Sequence, residues 1–140
     1  MVEVIRTRPA DEEHQVVTLS GGDGRSYRRK PCPHCPWRTD QPTGRFPAEA
    51  YRHSAETAYD LSEHRFGCHM SGTKKPETCA GFLQRGATHN LGIRLDLIRG
   101  RLDLAEVSSD VPLYSSYRAM AEANGVSADD PVLTKCREPE

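Results

Sequence analysis

Apolar residues along this chain are sparse and come in short groups. Gln15-Val16-Val17-Thr18-Leu19 is β-prone and predicts a strand. Gly21-Gly22-Asp23-Gly24 predicts a turn after it, and Arg25-Ser26-Tyr27-Arg28 the returning strand of a hairpin. Residues 31–46 read as a proline-rich loop. Pro47 suits the first position of a helix, with Glu49 in its first turn. Ala48, Tyr51, Ala55 and Ala58 recur at helical spacing, so the helix runs to about Tyr59 behind a thin apolar face.

Residues 60–78 read as loop. A short helix opens at Cys79-Ala80-Gly81-Phe82-Leu83, with Thr78 as its expected N-cap. Leu91, Leu95, Ile98 and Leu102 form the best helical stripe in the chain, capped by Asn90 and weakened or ended by Gly100. Ser115 to Asn124 predicts another helix, with Tyr117, Met120 and Ala121 on one face and a stop at Asn124-Gly125. Ser127-Ala128-Asp129-Asp130 resembles a capping box and predicts a last helical turn ending near Cys136.

At 140 residues the chain is long enough for one domain with one modest core. Only 36% of it is hydrophobic and 6% aromatic, a lean core of the kind that a metal or cross-link often supports. The expected fold is a small single α+β domain, mostly helical, with long loops organised around a four-cysteine metal centre. Residues 1–30 form an N-terminal arm with a hairpin, 31–103 the cysteine-centred core, and 104–140 a helical extension packing on it. The start, MVEVIRTRPADEEH, lacks the apolar run of a secretory leader, and no stretch reaches the roughly 18 apolar residues of a membrane span. The expected location is therefore the cytoplasm, with no membrane partner; nothing in the sequence speaks to oligomeric state.

That location gives the cysteines their meaning. Reducing compartments disfavour structural disulfides, so five cysteines there point to ligands or redox groups. The spacing is Cys32-x2-Cys35-x32-Cys68-x10-Cys79, with Cys136 a further 56 residues on. A C-x-x-C pair sets two thiolates on one tight turn, and two later cysteines complete a four-thiolate site. The expected ligands are Cys32, Cys35, Cys68 and Cys79, with His69, His34 and Cys136 in reserve. His34 lies inside the C-x-x-C and His69 adjoins Cys68; adjacent side chains diverge, so the two imidazoles are expected beside the metal rather than on it. His64 and His89 read as surface or capping groups.

The cofactor is expected to be a [4Fe-4S] cluster or a single zinc. Proline follows both Cys32 and Cys35, and proline has no N–H. On that reading the sulfurs lack the backbone donors of a zinc knuckle, and Trp37 and Phe66 supply apolar cover. That tilts the expectation slightly toward a cluster.

The set Pro31-Cys32-Pro33-His34-Cys35-Pro36-Trp37-Arg38, Phe46-Pro47, Phe66-Gly67-Cys68-His69 and Cys79-Ala80-Gly81-Phe82-Leu83 resembles a family of small proteins from actinobacteria and their phages, catalogued as a domain of unknown function. The resemblance covers about residues 30–103. It implies a site built from Cys32, Cys35, Cys68 and Cys79, and no activity. A looser likeness is to WhiB-type iron–sulfur transcription regulators, which also carry four cysteines with one C-x-x-C followed by proline. The order and spacing differ here, and their glycine-rich turn and basic tail are lacking.

Charge is uneven although the net charge is -1. Arg25, Arg28, Arg29, Lys30, Arg38 and Arg45 fall within 21 residues that hold one acid, Asp40, with Tyr27 and Trp37 among them. Basic residues interleaved with aromatics suit phosphate contact and base stacking, so Arg25, Arg28, Arg29, Lys30, Trp37, Arg38 and Arg45 form a candidate nucleic-acid surface. No G-x-S-x-G, P-loop or H-E-x-x-H is present. The expected function is a non-enzymatic regulatory or nucleic-acid-associated module, with nucleic acid or the transcription machinery as partner. The alternatives are a small iron–sulfur electron-transfer protein or enzyme, or a zinc hydrolase with Glu63 or His64 beside an open metal.

Overall fold

The valine-rich run at residues 15–20 does form a strand, but its partner precedes it. In the computed structural model, which describes residues 3–10, 15–20, 27–68, 70–71 and 75–138, β1 (Glu3–Pro9) pairs antiparallel with β2 (Gln15–Ser20) from Glu3↔Ser20 to Pro9↔Gln15. On its other side β2 meets β3 (Arg65–Phe66), giving the order β1-β2-β3. The hairpin expected between residues 15–19 and 25–28 is therefore corrected. Residues 21–26 lie outside the described residues, and Tyr27 bridges in parallel to Thr78 instead. Residues 3–9 offer a longer ladder than 25–28, and side chains anchor it: Arg6 and Arg8 pair with Glu56, and Arg8 also donates to the His53 carbonyl at 2.6 Å.

Pro47 becomes the N-cap of α1 (Ala48–Ser54), one position earlier than expected, and a 3-10 turn over Ala55–Ala58 carries the helix to its predicted end. The buried stripe is Tyr51, Ala55 and Ala58, as the spacing requires. α2 (Ala80–Arg85) is capped by Cys79 rather than Thr78. Thr78 is extended instead: its carbonyl accepts from the Arg28 N–H at 2.9 Å, and it bridges both Tyr27 and Gly67.

α3 (Leu91–Ile98) starts where predicted, with Asn90 Oδ1 accepting from the Ile93 N–H at 3.0 Å. The buried Asn90 also donates to the carbonyls of Thr57 and His64, so its amide is satisfied on both sides. The expected apolar stripe holds only at Leu102, which is buried beyond the end of the helix. Ile98 is 80% exposed, Leu91 and Leu95 are half-buried, and the helix's buried face is Ile93 and Asp96. Asp96 turns inward because Arg65 of β3 meets it there, Nη2 to Oδ2 at 2.5 Å, with both side chains almost fully enclosed.

Three short elements finish the chain. A 3-10 turn at Leu104–Glu106 precedes α4 (Tyr117–Ala123) and α5 (Pro131–Thr134). α4 is capped by Ser116 and closes at Gly125, whose φ of 97° lets the Val126 N–H reach the Ala121 carbonyl at 3.1 Å. The Ser127 sequence is a turn, not a capping box. Asp130 caps α5, with Pro131 at its first position.

The core sits between these helices and the cysteine loop. Trp37, Phe82, Met120 and Leu133 are fully enclosed and Tyr117 nearly so. Trp37 meets Phe66 and Tyr117 edge-on, both at 5.8 Å between centroids, and Phe66 stacks on Phe82 at 6.3 Å. The result is an α+β fold. Among the described residues no helix is long and apolar enough to cross a membrane.

Candidate metal centre

Three chain segments are tied side by side before any cysteine is considered. The Cys68 N–H donates to the Glu77 carbonyl and the Cys79 N–H to the Phe66 carbonyl, both at 2.8 Å. That ribbon places Cys68 and Cys79 near each other along paired backbone. The Tyr27–Thr78 bridge docks the start of the cysteine loop against the same ribbon, five residues before Cys32.

The prolines then have a definite task. The Cys35 N–H donates to the Cys32 carbonyl and the Arg38 N–H to the Cys35 carbonyl, each at 3.1 Å. Two successive β-turns result, each with cysteine first and proline second, the position where a fixed φ is favoured. The sulfur of each cysteine accepts a hydrogen bond from the N–H two residues on: His34 to Cys32, Trp37 to Cys35. At Cys68 the Ser71 N–H donates to the carbonyl at 3.1 Å and the Met70 N–H to the sulfur. The expectation that Pro33 and Pro36 starve the sulfurs of donors is thus overturned. The donor comes from the second residue after the cysteine, and proline occupies the first.

The four thiols meet in a chain, Cys68 to Cys32, Cys32 to Cys35, Cys35 to Cys79. The Cys35 and Cys79 sulfurs are 3.6 Å apart. All four are buried and none is in a disulfide. At Cys32, Cys35 and Cys68, contact with a neighbouring thiol and burial hold the proton on. The Cys35 thiol raises the pKa of Cys32, and the Cys32 thiol raises that of Cys68, with burial acting the same way on both. Cys35 is eased by accepting from Cys32, but contact with Cys79 and burial outweigh that and push it well above the ordinary thiol range. As thiols they meet pairwise, and among the described residues no three His, Cys, Asp or Glu side chains form a ready-made metal cage.

Two of the three reserve ligands, Cys136 and His34, have other partners. Cys136 is buried against the Ala55 and Val132 carbonyls, at 3.6 and 3.7 Å. His34 is exposed and touches Arg45. His69 falls outside the described residues. His64 turns its Nδ1 to Glu56 at 3.1 Å.

The candidate nucleic-acid surface is altered by folding. Trp37 is fully enclosed, so it has no face to offer a base. Arg28 pairs with Glu77, Arg29 with Glu106, Lys30 with Asp110 and Arg38 with Asp40. Three of those acids come from distant sequence, which is why the local charge count missed them. Arg25 falls outside the described residues, and Arg45 is exposed beside His34.

A family described as "Family of unknown function (DUF6283)" matches residues 27–137. Neither the curated proteins nor the solved structures give a match.

Proposed function

The chain belongs to the DUF6283 family, and from the cysteine geometry of this member we propose that the site holds one zinc ion on Cys32, Cys35, Cys68 and Cys79, in a non-enzymatic module whose loops the metal ties together. The observation that carries this reading is the 3.6 Å between the Cys35 and Cys79 sulfurs. A tetrahedron of zinc–sulfur bonds has an edge of about 3.8 Å. A cubane cluster puts each cysteine on a different iron and spreads the sulfurs well beyond mutual contact. The N–H donors on Cys32, Cys35 and Cys68 also suit a thiolate set, since each offsets negative charge on sulfur. When bound, the ion would take the place of the thiol protons and offset the crowding of four buried sulfurs. Four thiolates close the coordination shell, which favours a structural over a hydrolytic metal.

A regulatory role, with nucleic acid or the transcription machinery as partner, goes with this reading. Its support is the looser likeness to WhiB-type regulators, which also carry four cysteines with one C-x-x-C followed by proline. The ion pairs on Arg28, Arg29, Lys30 and Arg38 mean that phosphate contact has to displace acids of the same chain.

Anaerobic purification followed by metal analysis tests the reading. A colourless protein with one equivalent of zinc is expected. A brown protein absorbing at about 400 nm would instead show an iron–sulfur cluster. Single Cys→Ser changes at positions 32, 35, 68 and 79 should each release the metal, and Cys136→Ser should keep it.

A further inference from the structure

Leu91, Leu95 and Ile98 do share one side of α3, but it is the side away from the core. An α-helix turns about 100° per residue, so these three fall in one row, nearly opposite Ile93, Asp96 and Leu97. Ile93 and Asp96 are buried and Leu97 packs against the core. Leu91 and Leu95 are half-buried, and Ile98 is 80% exposed. Arg94 falls on one flank of the row and Arg99 on the other, both exposed. Neither arginine is in an ion pair with a described residue. Glu63 is exposed too, at the Leu61 end, so the positive charge is confined to the flanks of α3 itself.

Leu61 stands at the head of this row. Its N–H donates to the His89 carbonyl at 3.0 Å, and the Leu91 N–H donates to the Ser62 carbonyl at 2.8 Å. Leu61 is 60% exposed and holds a φ of 62°. That left-handed conformation is ordinary for glycine or asparagine and unfavourable for a bulky apolar side chain. A strained leucine facing solvent, beside an uncovered apolar ridge, is a second sign of a contact made outside the chain.

We propose that this ridge docks an acidic amphipathic segment of another protein. Apolar side chains of the segment cover Leu61, Leu91, Leu95 and Ile98, and its carboxylates meet Arg94 and Arg99. Carboxylates match guanidinium groups in charge and in geometry. A second copy docking ridge to ridge would set arginine against arginine. Nucleic acid would satisfy the arginines but leave the leucine row unused, since no aromatic ring lies in it to stack a base. The inference does not depend on the zinc reading.

The test is selection of a displayed random-peptide library on the full chain, with an Ile98→Glu variant as the counter-target. The expected consensus has apolar residues three and four apart with Asp or Glu beside them. A synthetic consensus peptide, followed by fluorescence anisotropy, should bind the native chain. Ile98→Glu and the double change Arg94→Glu with Arg99→Glu should each weaken binding by about tenfold or more, with urea midpoints little changed. Leu61→Asn should weaken binding while keeping or raising the midpoint, because asparagine tolerates the left-handed backbone. The proposal fails if no peptide prefers the native chain to Ile98→Glu, if the consensus is basic, or if binding survives both arginine reversals. It also fails if Ile98→Glu instead abolishes binding to a single-stranded oligonucleotide or to phosphatidylserine vesicles, or dissolves a dimer seen by sedimentation. A lowered midpoint in Leu61→Asn would show that this leucine packs within the fold, and would remove it from the site.

Discussion

Trp37 and Gly81 lie so close that a methyl group on the glycine would come within 2.6 Å of the tryptophan Cβ. Gly86, at the other end of α2, would meet the far edge of the same indole at 2.6 Å. Two glycines thus seat one tryptophan. The fit joins the first cysteine loop to α2, with Cys35 and Cys79 each two residues before the contact. Overpacking of this kind costs about 1–3 kcal/mol, so Gly81→Ala and Gly86→Ala should both lower the urea midpoint. Trp37→Phe should relieve the Gly86 variant, whose clash is with the outer indole ring. It should not relieve Gly81→Ala, whose clash is with Cβ, which phenylalanine keeps. Double-mutant cycles distinguish the two; equal rescue would contradict the geometry.

Arg65 and Asp96 form a second tie, between β3 and α3. Both are almost fully buried, so removing one partner strands a charge. Asp96→Asn should cost about 3–5 kcal/mol, whereas the joint change Arg65→Met with Asp96→Leu should cost clearly less. Urea unfolding of the three proteins checks this. Similar losses from the single and double variants would mean that packing, not charge, sets the cost.

That pair also explains where sequence reading went astray on α3. The stripe Leu91, Leu95, Ile98, Leu102 assumed that apolar residues face inward. Here an aspartate faces inward because its partner sits 31 residues away in sequence, on a strand only two residues long. Features set by neighbouring residues were legible: the Asn90 cap, the Gly125 stop and the Tyr51 stripe. The gathering of Cys32, Cys35, Cys68 and Cys79 was legible from spacing. The bridge from Tyr27 to Thr78 and the acids opposite Arg28, Arg29 and Lys30 were not, since each depends on how distant segments meet.

Cys136 gives a prediction in pH. Burial pushes its thiol from an ordinary value of 9.0 up to about 12, with Arg118 opposing the shift and Glu138 adding to it. The folded protein therefore keeps this proton after the unfolded chain has lost it. Its contribution to stability is complete below pH 9 and is lost as pH rises from about 9 toward about 12. Serine does not titrate there. The stability of the native protein relative to Cys136→Ser should accordingly fall across that window and be constant below it. Urea midpoints measured as a function of pH decide the matter; a difference that stays flat above pH 9 would show the thiol to be solvated.

The segment from Asp103 to Tyr114 lies along the cysteine loop like an acidic strap. The Ser108 N–H donates to the Arg29 carbonyl at 3.0 Å, the Thr39 N–H to the Pro112 carbonyl at 3.0 Å, and the Tyr114 N–H to the Trp37 carbonyl at 2.9 Å. Glu106 and Asp110 meet Arg29 and Lys30 at 3.2 and 3.3 Å. Arg29 meanwhile stacks on Tyr27, 3.7 Å from the ring centre. All four charged side chains are exposed, and such pairs contribute only about 0–1 kcal/mol each. A phosphate backbone could therefore exchange with the two carboxylates at small cost. Glu106→Gln with Asp110→Asn should leave the urea midpoint nearly unchanged while raising retention on a polyanionic column. Binding to a single-stranded oligonucleotide should tighten and acquire a steeper salt dependence, as expected when two cations are freed for phosphate. Unchanged retention and unchanged oligonucleotide binding in the double variant would remove this face from consideration as a nucleic-acid surface.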